Sequence, residues 1–260
     1  MTNHRSSRWL FALAASGCVP SGNAGPQDAG TTAATAHPLI PPPGAVVAGP
    51  TDEALRRSFQ DDFERAPAAP SDIGPEWVTT APPGTWRIES RREGGRLCGE
   101  RARNHGIWLK RTLPVNARVE FDAVSDAADG DLKAEFWGDG RSFATSLSYT
   151  NASSYLTIFG GWHNKFHVLA RLNEHGNDRK EIAVDPASDD PREKPVVAGQ
   201  NYRFKVERSD GKTVRWWIDG NEMLSYPDPA PLVGAGHDHF GFNDWDVKVC
   251  FDNVRIVPLP

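Results

Sequence analysis

The stretch "WHNKFHVLARLNEHG", Trp162 to Gly176, gathers three histidines and a glutamate within fifteen residues. His163 and His167 stand four apart, Glu174 and His175 follow, and Asp178 comes just beyond. On a helix that spacing sets two imidazoles on one face, the arrangement of a zinc clamp. Asn164 stands where the His-Glu-x-x-His pattern has its general base, and the local period is wrong for a helix. Phe166, Val168, Ala170 and Leu172 alternate with Lys165, His167, Leu169, Arg171 and Asn173, which is the period of a strand. Cβ atoms four residues apart on a strand are about 13 Å apart, too far for two imidazoles to share an ion through bonds of about 2 Å. The local zinc signature therefore falls. A hairpin remains: a strand, the turn "EHGND", and a return strand "RKEIAVD". Trp162, His163, His167 and Arg171 would then form a polar, part-aromatic stripe, suited to a hydroxyl-rich ligand because a ring face meets sugar C–H groups while a few fixed donors meet hydroxyls. Glu174, His175 and Asp178 at the turn are candidates for acid–base work. The plainer alternative is a solvated strand face with a polar turn.

Two other stretches carry candidate chemistry. In "DLKAEFW" (131–137), Lys133, Glu135 and Trp137 alternate with Leu132, Ala134 and Phe136, so the first three join the candidate ligand face. In "GAGHDHFGFNDW" (234–245), His237 and His239 flank Asp238 in a glycine-rich loop. Loops on a rigid scaffold often carry function, and this one could meet the 162–178 hairpin as a composite site. Its plain reading is a connection anchored by Phe240, Phe242 and Trp245.

The elements that must position these residues are short strands. "ARVEFDAVS" sets Val119, Phe121 and Ala123 against Arg118, Glu120 and Asp122; "NYRFKVER" and "TVRWWIDG" alternate in the same way. Period-two alternation marks half-buried antiparallel strands. "SDGK" (209–212) and "IDGN" (218–221) supply Asp-Gly hairpin turns. No 3.6-residue period is sustained from about Phe59 onward, so the expected fold is all-β, a two-sheet antiparallel jelly-roll sandwich over residues 58–260.

The opening "DDFERA…EW…GTWRIES…GGRLCG", the middle "YRFKVERSDGKTVRWWIDG" and the ending "VCFDNVRIVPL" resemble the concanavalin A-like lectin/glucanase superfamily. That superfamily holds lectins, glycoside hydrolases, keto-disaccharide hydrolase-like domains and bacterial lipoproteins, so the resemblance implies a fold more than an activity. It makes "EFDAVSD" (120–126) a test case. Laminarinase-type hydrolases use Glu-x-Asp-x-x-Glu on one strand, with the first and last carboxylates as nucleophile and acid/base. Here Ser125 stands in the acid/base position and Asp126 comes one residue late, which favours a plain polar strand face. The resemblance also implies a structural calcium held by Asp252, with Asp61 and the Gly94-Gly95 carbonyls as weaker partners. Calcium takes six or more oxygens, and the sequence names about four. The other reading of Asp252 is a hydrogen bond to neighbouring backbone, and no other cofactor is expected.

The N-terminus reads as a targeting segment. "MTNHRSSR" carries Arg5 and Arg8, "WLFALAASG" is a short apolar core, and Cys18 follows, the order of a secretory signal. Ala15-Ser16-Gly17-Cys18 resembles a bacterial lipobox, implying a signal over 1–17 and lipidation at Cys18; ordinary cleavage is the alternative. Val19, rather than the retention aspartate of inner-membrane lipoproteins, follows the cysteine, so an outer-membrane anchor is expected. Residues 18–57 are a Pro/Ala/Gly-rich linker, with a short helix around "TDEALRRSFQ". With Cys18 lipidated, Cys98 and Cys250 remain of three cysteines, either a disulfide in an oxidising compartment or two buried thiols.

The formal charge of −5 argues against nucleic acid, which needs a basic face, and no apolar run is long enough to span a bilayer. The lipid would be the sole membrane contact. The expectation is an envelope-tethered, lectin-like domain binding glycan or another polyhydroxylated ligand. A glycoside-processing hydrolase and a structural envelope protein are the alternatives.

Overall fold

The structure, a computed structural model, describes residues 52–92 and 94–260. The expected signal over 1–17, the expected lipidation at Cys18 and most of the expected linker lie outside the described residues. A short helix, α1 (Asp52–Leu55), comes first. Fifteen strands follow in chain order: β1 (Phe59–Asp61), β2 (Trp77–Thr79), β3 (Trp86–Arg91), β4 (Gly94–Glu100), β5 (Ile107–Thr112), β6 (Ala117–Ser125), β7 (Leu132–Gly138), β8 (Tyr155–Gly160), β9 (Phe166–Arg171), β10 (Lys180–Ala183), β11 (Asn201–Arg208), β12 (Thr213–Ile218), β13 (Asn221–Pro227), β14 (His239–Asn243) and β15 (Lys248–Pro258). A 3₁₀ turn spans Pro191–Glu193.

The strands form two antiparallel sheets. Sheet one runs β13-β12-β11-β6-β15-β4-β3, with β1 also paired to β15; sheet two runs β10-β9-β8-β7-β14-β5-β2. The all-β, two-sheet jelly-roll sandwich expected from the sequence is the fold. The two Asp-Gly turns differ: Asp219 and Gly220 both hold positive φ between β12 and β13, the type I′ geometry that matches strand twist, whereas between β11 and β12 only Gly211 does and Asp210 does not.

Period-two side chains fill the space between the sheets. Phe121, Phe204, Trp216 and Phe251 from sheet one meet Phe136, Phe159, Phe240 and Phe242 from sheet two in one core, and Phe242 stacks on Phe251 at 3.9 Å. The outer face of sheet one is charged. Opposed across β6 and β11 are Arg118 with Glu207, Glu120 with Lys205, and Asp122 with Arg203, a ladder of opposite charges. "EFDAVSD" therefore supplies one rung after another of this ladder. On the same sheet Cys98 and Cys250 face each other in register and form a disulfide.

The outer face of sheet two is covered by the chain itself. Residues 139–154, between β7 and β8, fold across it. Ala144, Tyr149 and Ala152 pack on Leu156, Ile158, Val168 and Ala170, and Trp108 Nε1 donates to Ser142 O at 3.2 Å. β7 and β8 are consequently buried along their whole length.

Candidate functional site

At one end of the covered face the segment stops short and leaves a cleft of about 460 Å³. Its floor comes from β7 and β8, through Lys133 and Ile158, and its walls, beside that segment, from five turns between strands. Lys133 points outward from sheet two and is buried. Its Nζ donates to Asn104 Oδ1 at 2.8 Å and to Glu174 Oε2 at 3.1 Å. Glu174 Oε1 accepts from Tyr149 N at 2.8 Å and lies 3.3 Å from His175 Nε2. Burial alone would push the Glu174 carboxyl up, but the Lys133 charge and the bond from Tyr149 N bring it below its usual range. Burial likewise opposes the Lys133 charge, and Asp131 and Glu174 together overcome it, so its pKa stands above the ordinary value. Asp131 goes the other way: burial raises its carboxyl despite Lys133.

The turns are tied to one another. Asp131 Oδ2 accepts from Trp245 N at 3.0 Å, and Asp131 N donates to Gly160 O at 3.1 Å. Arg103 N donates to Trp245 O at 2.9 Å and Asn104 N to Asp244 O at 2.8 Å. A Cβ on Gly130 would sit 2.4 Å from Gly160 O, so this approach requires glycine. Left-handed backbone concentrates here. Arg101, Asn104, Asp131, Trp162, His163 and Asn164 all have positive φ, at a cost of about 1–2 kcal/mol for each non-glycine residue. Asn164 secures the 160–164 turn by donating to Ala128 O and Val196 O and accepting from Val196 N. Strain held in place by surrounding bonds is characteristic of functional sites.

Of the residues singled out from sequence, Lys133, Trp162, His163, Glu174 and His175 line this cleft. Glu135 lies further along β7, sealed beneath the covering segment. It accepts from Ser154 Oγ (2.6 Å), Tyr149 Oη (3.2 Å) and Asn243 Nδ2 (2.7 Å), and burial pushes its carboxyl up to about 7 against those bonds.

Several expectations are corrected. Trp137 is not on the outer face. Its positive φ turns it into the core, where Nε1 donates to Pro114 O at 3.0 Å. His167 is also buried rather than on a ligand face. The period of β9 was right and its sides were exchanged: the odd residues face the core, and the even ones face the covering segment. His167 stacks on Phe159 at 4.3 Å and accepts from Gly160 N at 2.9 Å, and burial lowers its pKa to about 4. His163 sits in the left-handed turn, so it shares no strand face with His167. Arg171 belongs to an ion pair, its Nε donating to Asp228 at 2.7 Å. Asp178 accepts from Tyr226 Oη at 2.5 Å and lies outside the cleft.

The 237–239 loop does not meet the hairpin tip. Asp238 N donates to Gly138 O and His237 Nδ1 contacts Ser153 O at 2.8 Å. His239 Nδ1 lies 2.8 Å from Asp238. That is the far end of β7, about 16 Å along the strand from Lys133. The calcium expectation meets occupied oxygens. Asp61 accepts from Phe63 N, from Arg65 and from Trp77 Nε1, and Asp252 faces Arg96 at 3.5 Å and accepts from Asn253 N. Cationic and N–H donors thus hold the carboxylates on which a calcium would depend.

Asn104, Asp129, Asp131, Trp245 and Asp246 also line the cleft and were not among the candidates. "DAADGD" (126–131) and "NDWD" (243–246) held the signal: acids crowded into turns, one beside a tryptophan.

No family model matches the chain, and no curated protein does. Solved structures give distant likenesses. A Bacillus subtilis carbohydrate-binding module, CBM66, is 17% identical over 69% of this chain and 94% of its own, with a TM-score of 0.46. A Bacillus subtilis protein of unknown function with a galectin-like fold is 14% identical over 77% of this chain and 94% of its own, with a TM-score of 0.46. The Bacillus licheniformis β-glucanase is 11% identical over 77% of this chain and 97% of its own, with a TM-score of 0.49. The jelly-roll sandwich itself is read from this chain's own strand pairing.

Proposed function

We propose that the cleft binds a glycan or another polyhydroxylated ligand, in a protein exported and lipid-anchored at the cell envelope, on the outer membrane. The observation that carries the binding reading is that two tryptophans, Trp162 and Trp245, line one cleft with the fixed polar groups of Asn104, Asp131, Lys133 and Glu174. Apolar ring surface beside a few converging donors and acceptors is what a sugar ring requires. A glycan array run beside a reducing-sugar release assay tests it. Binding without turnover is expected, with Trp162→Ala and Trp245→Ala each weakening affinity about tenfold. Absence of any oligosaccharide binding overturns the reading.

The anchor is supported by Arg5, Arg8, the apolar run after them and Cys18. The Cys98–Cys250 disulfide suits an oxidising compartment. Metabolic labelling with a fatty-acid analogue should mark the chain and fail on Cys18→Ser; label retained in that variant refutes lipidation there.

A glycoside-processing hydrolase is the second reading, and one observation favours it. Two carboxyls lining the cleft are displaced in opposite directions, Asp131 up and Glu174 down, the pattern that separates an acid from a base. Sugar release that disappears in Glu174→Gln would put this reading first.

A further inference from the structure

The cleft is unevenly charged. Asp129, Asp131, Glu174 and Asp246 line it against Arg101 and Lys133; Lys133 and Glu174 offset each other as an ion pair, which leaves Asp129, Asp131 and Asp246 facing Arg101. Asp129 and Asp246 are different. Their side chains are 57% and 48% exposed, and among the described residues Asp129 faces His163 at 3.3 Å and Asp246 faces Arg103 at 3.4 Å. Behind the wall lies Asp244, wholly buried, accepting from Ala102 N through Oδ2 while its Oδ1 has no hydrogen-bond partner among the described residues. Burial, with Asp131 nearby, pushes this carboxyl up to about 7. The tryptophans already attract cations: Arg179 lies 4.9 Å from the Trp162 ring and Arg103 5.8 Å from the Trp245 ring.

A cleft with walls of low dielectric and one prevailing sign of charge concentrates its field on what enters. Aromatic faces add to the attraction for a cation. A uronate or phosphate would approach carboxylates, whereas an ammonium group would find them on the wall and at the rim. We propose that the ligand of this cleft is a polyhydroxylated molecule carrying a protonated amine, an amino-sugar oligomer, taken in preference to neutral or acidic counterparts. This rests on the glycan reading and adds the substrate class to it. Asp129 and Asp246 are the rim residues that set the preference, and Trp162 and Trp245 support the rings.

The test is a glycan array of matched oligosaccharides in neutral, 6-amino-6-deoxy and 6-uronate forms. It is run at about pH 7.5, where a primary alkylamine is protonated and carboxylates are ionised. The amino forms should bind about tenfold more tightly than the neutral ones at low salt. The margin should narrow as salt screens the charges. The variant Asp129→Asn/Asp246→Asn, altered only at exposed positions, should lose the margin, read as the ratio of amino to neutral binding in the same protein. Equal binding of amino and neutral forms, or strongest binding of uronates, overturns the charge preference and leaves glycan binding standing. If no form binds, both readings fail. A margin unchanged in the double variant overturns the roles given to the two aspartates.

Discussion

Strand β11 in sheet one alternates buried and wetter residues along its length, and β6 beside it does so until its last turn. β7 and β8 in sheet two are buried at every position. Both sheets turn an apolar face to the same core, so the difference lies on their outer faces. Sheet one leaves its charges in water as cross-strand pairs and adds a covalent tie between β4 and β15. Sheet two carries Lys133 and Glu135 outward and buries both, Glu135 under residues 139–154 and Lys133 on the cleft floor against Asn104 and Glu174. Charges on the first face can be deleted at little cost; those on the second must be satisfied, because a buried group left without its partner bears the full loss of hydration.

The largest expected effect lies in sheet one. The disulfide closes a separation of 152 residues, and on the chain-entropy model Cys98→Ser/Cys250→Ser should lose about 5 kcal/mol in denaturant unfolding. A loss under about 1 kcal/mol would mean the tie adds little to the paired strands. Next comes Lys133→Met, which strips the partner from Glu174 and should lose about 3–5 kcal/mol. Adding Glu174→Gln should recover most of it, since removing both members of a buried pair costs far less than removing one. Failure to recover would show that the lysine stem, and not its charge, holds the turn.

The third effect is set by pH. Burial raises the Glu135 carboxyl from its ordinary value of 4.5 to about 7, so the folded state holds that proton more tightly than the unfolded chain. The stability from this group is fully present below about pH 4.5 and is lost as pH rises through about 7, a change of about 3 kcal/mol. Glu135→Gln should therefore gain on the native protein across that window; parallel stability curves would contradict the shift. The smallest effect returns to sheet one. Arg118 donates to Glu207 at 2.8 Å on the wet face, and Arg118→Ala should change stability by less than about 1 kcal/mol. A larger loss would break the contrast between the faces.

The same contrast governs what could be read from sequence. Val119, Phe121 and Ala123, or Tyr202, Phe204 and Val206, show their face because the residues between them are charged and wet. In β9 the rule fails. Val168 and Ala170 meet the covering segment while His167 and Leu169 meet the core, and both sets are buried, so nothing local tells inside from outside. Trp137 misleads for another reason, a positive φ at a residue type that rarely adopts it. At the cleft, Glu174 and His175 were legible as a polar hairpin tip. Asp131 and Trp245 were not, because they are far apart in sequence and meet through a single Trp245 N to Asp131 bond. The left-handed course of Trp162 and His163 had only Asn164 and the preceding glycines as a local cue.

β15 bears on how the chain reaches this state. It is the last of the strands in sequence, yet it lies in the interior of sheet one, between β6 and β4, and it also receives β1. Until residues 248–258 are available, β6 and β4 lack the strand that joins them, and Cys98 has no cysteine opposite. Closure of the sandwich is thus a late event by construction. The earlier strands would wait with open hydrogen-bonding edges, the condition in which β-proteins are exposed to misassembly. Pairing of β15 with both neighbours ends that interval, because it covers the edges of β6 and β4 in one step.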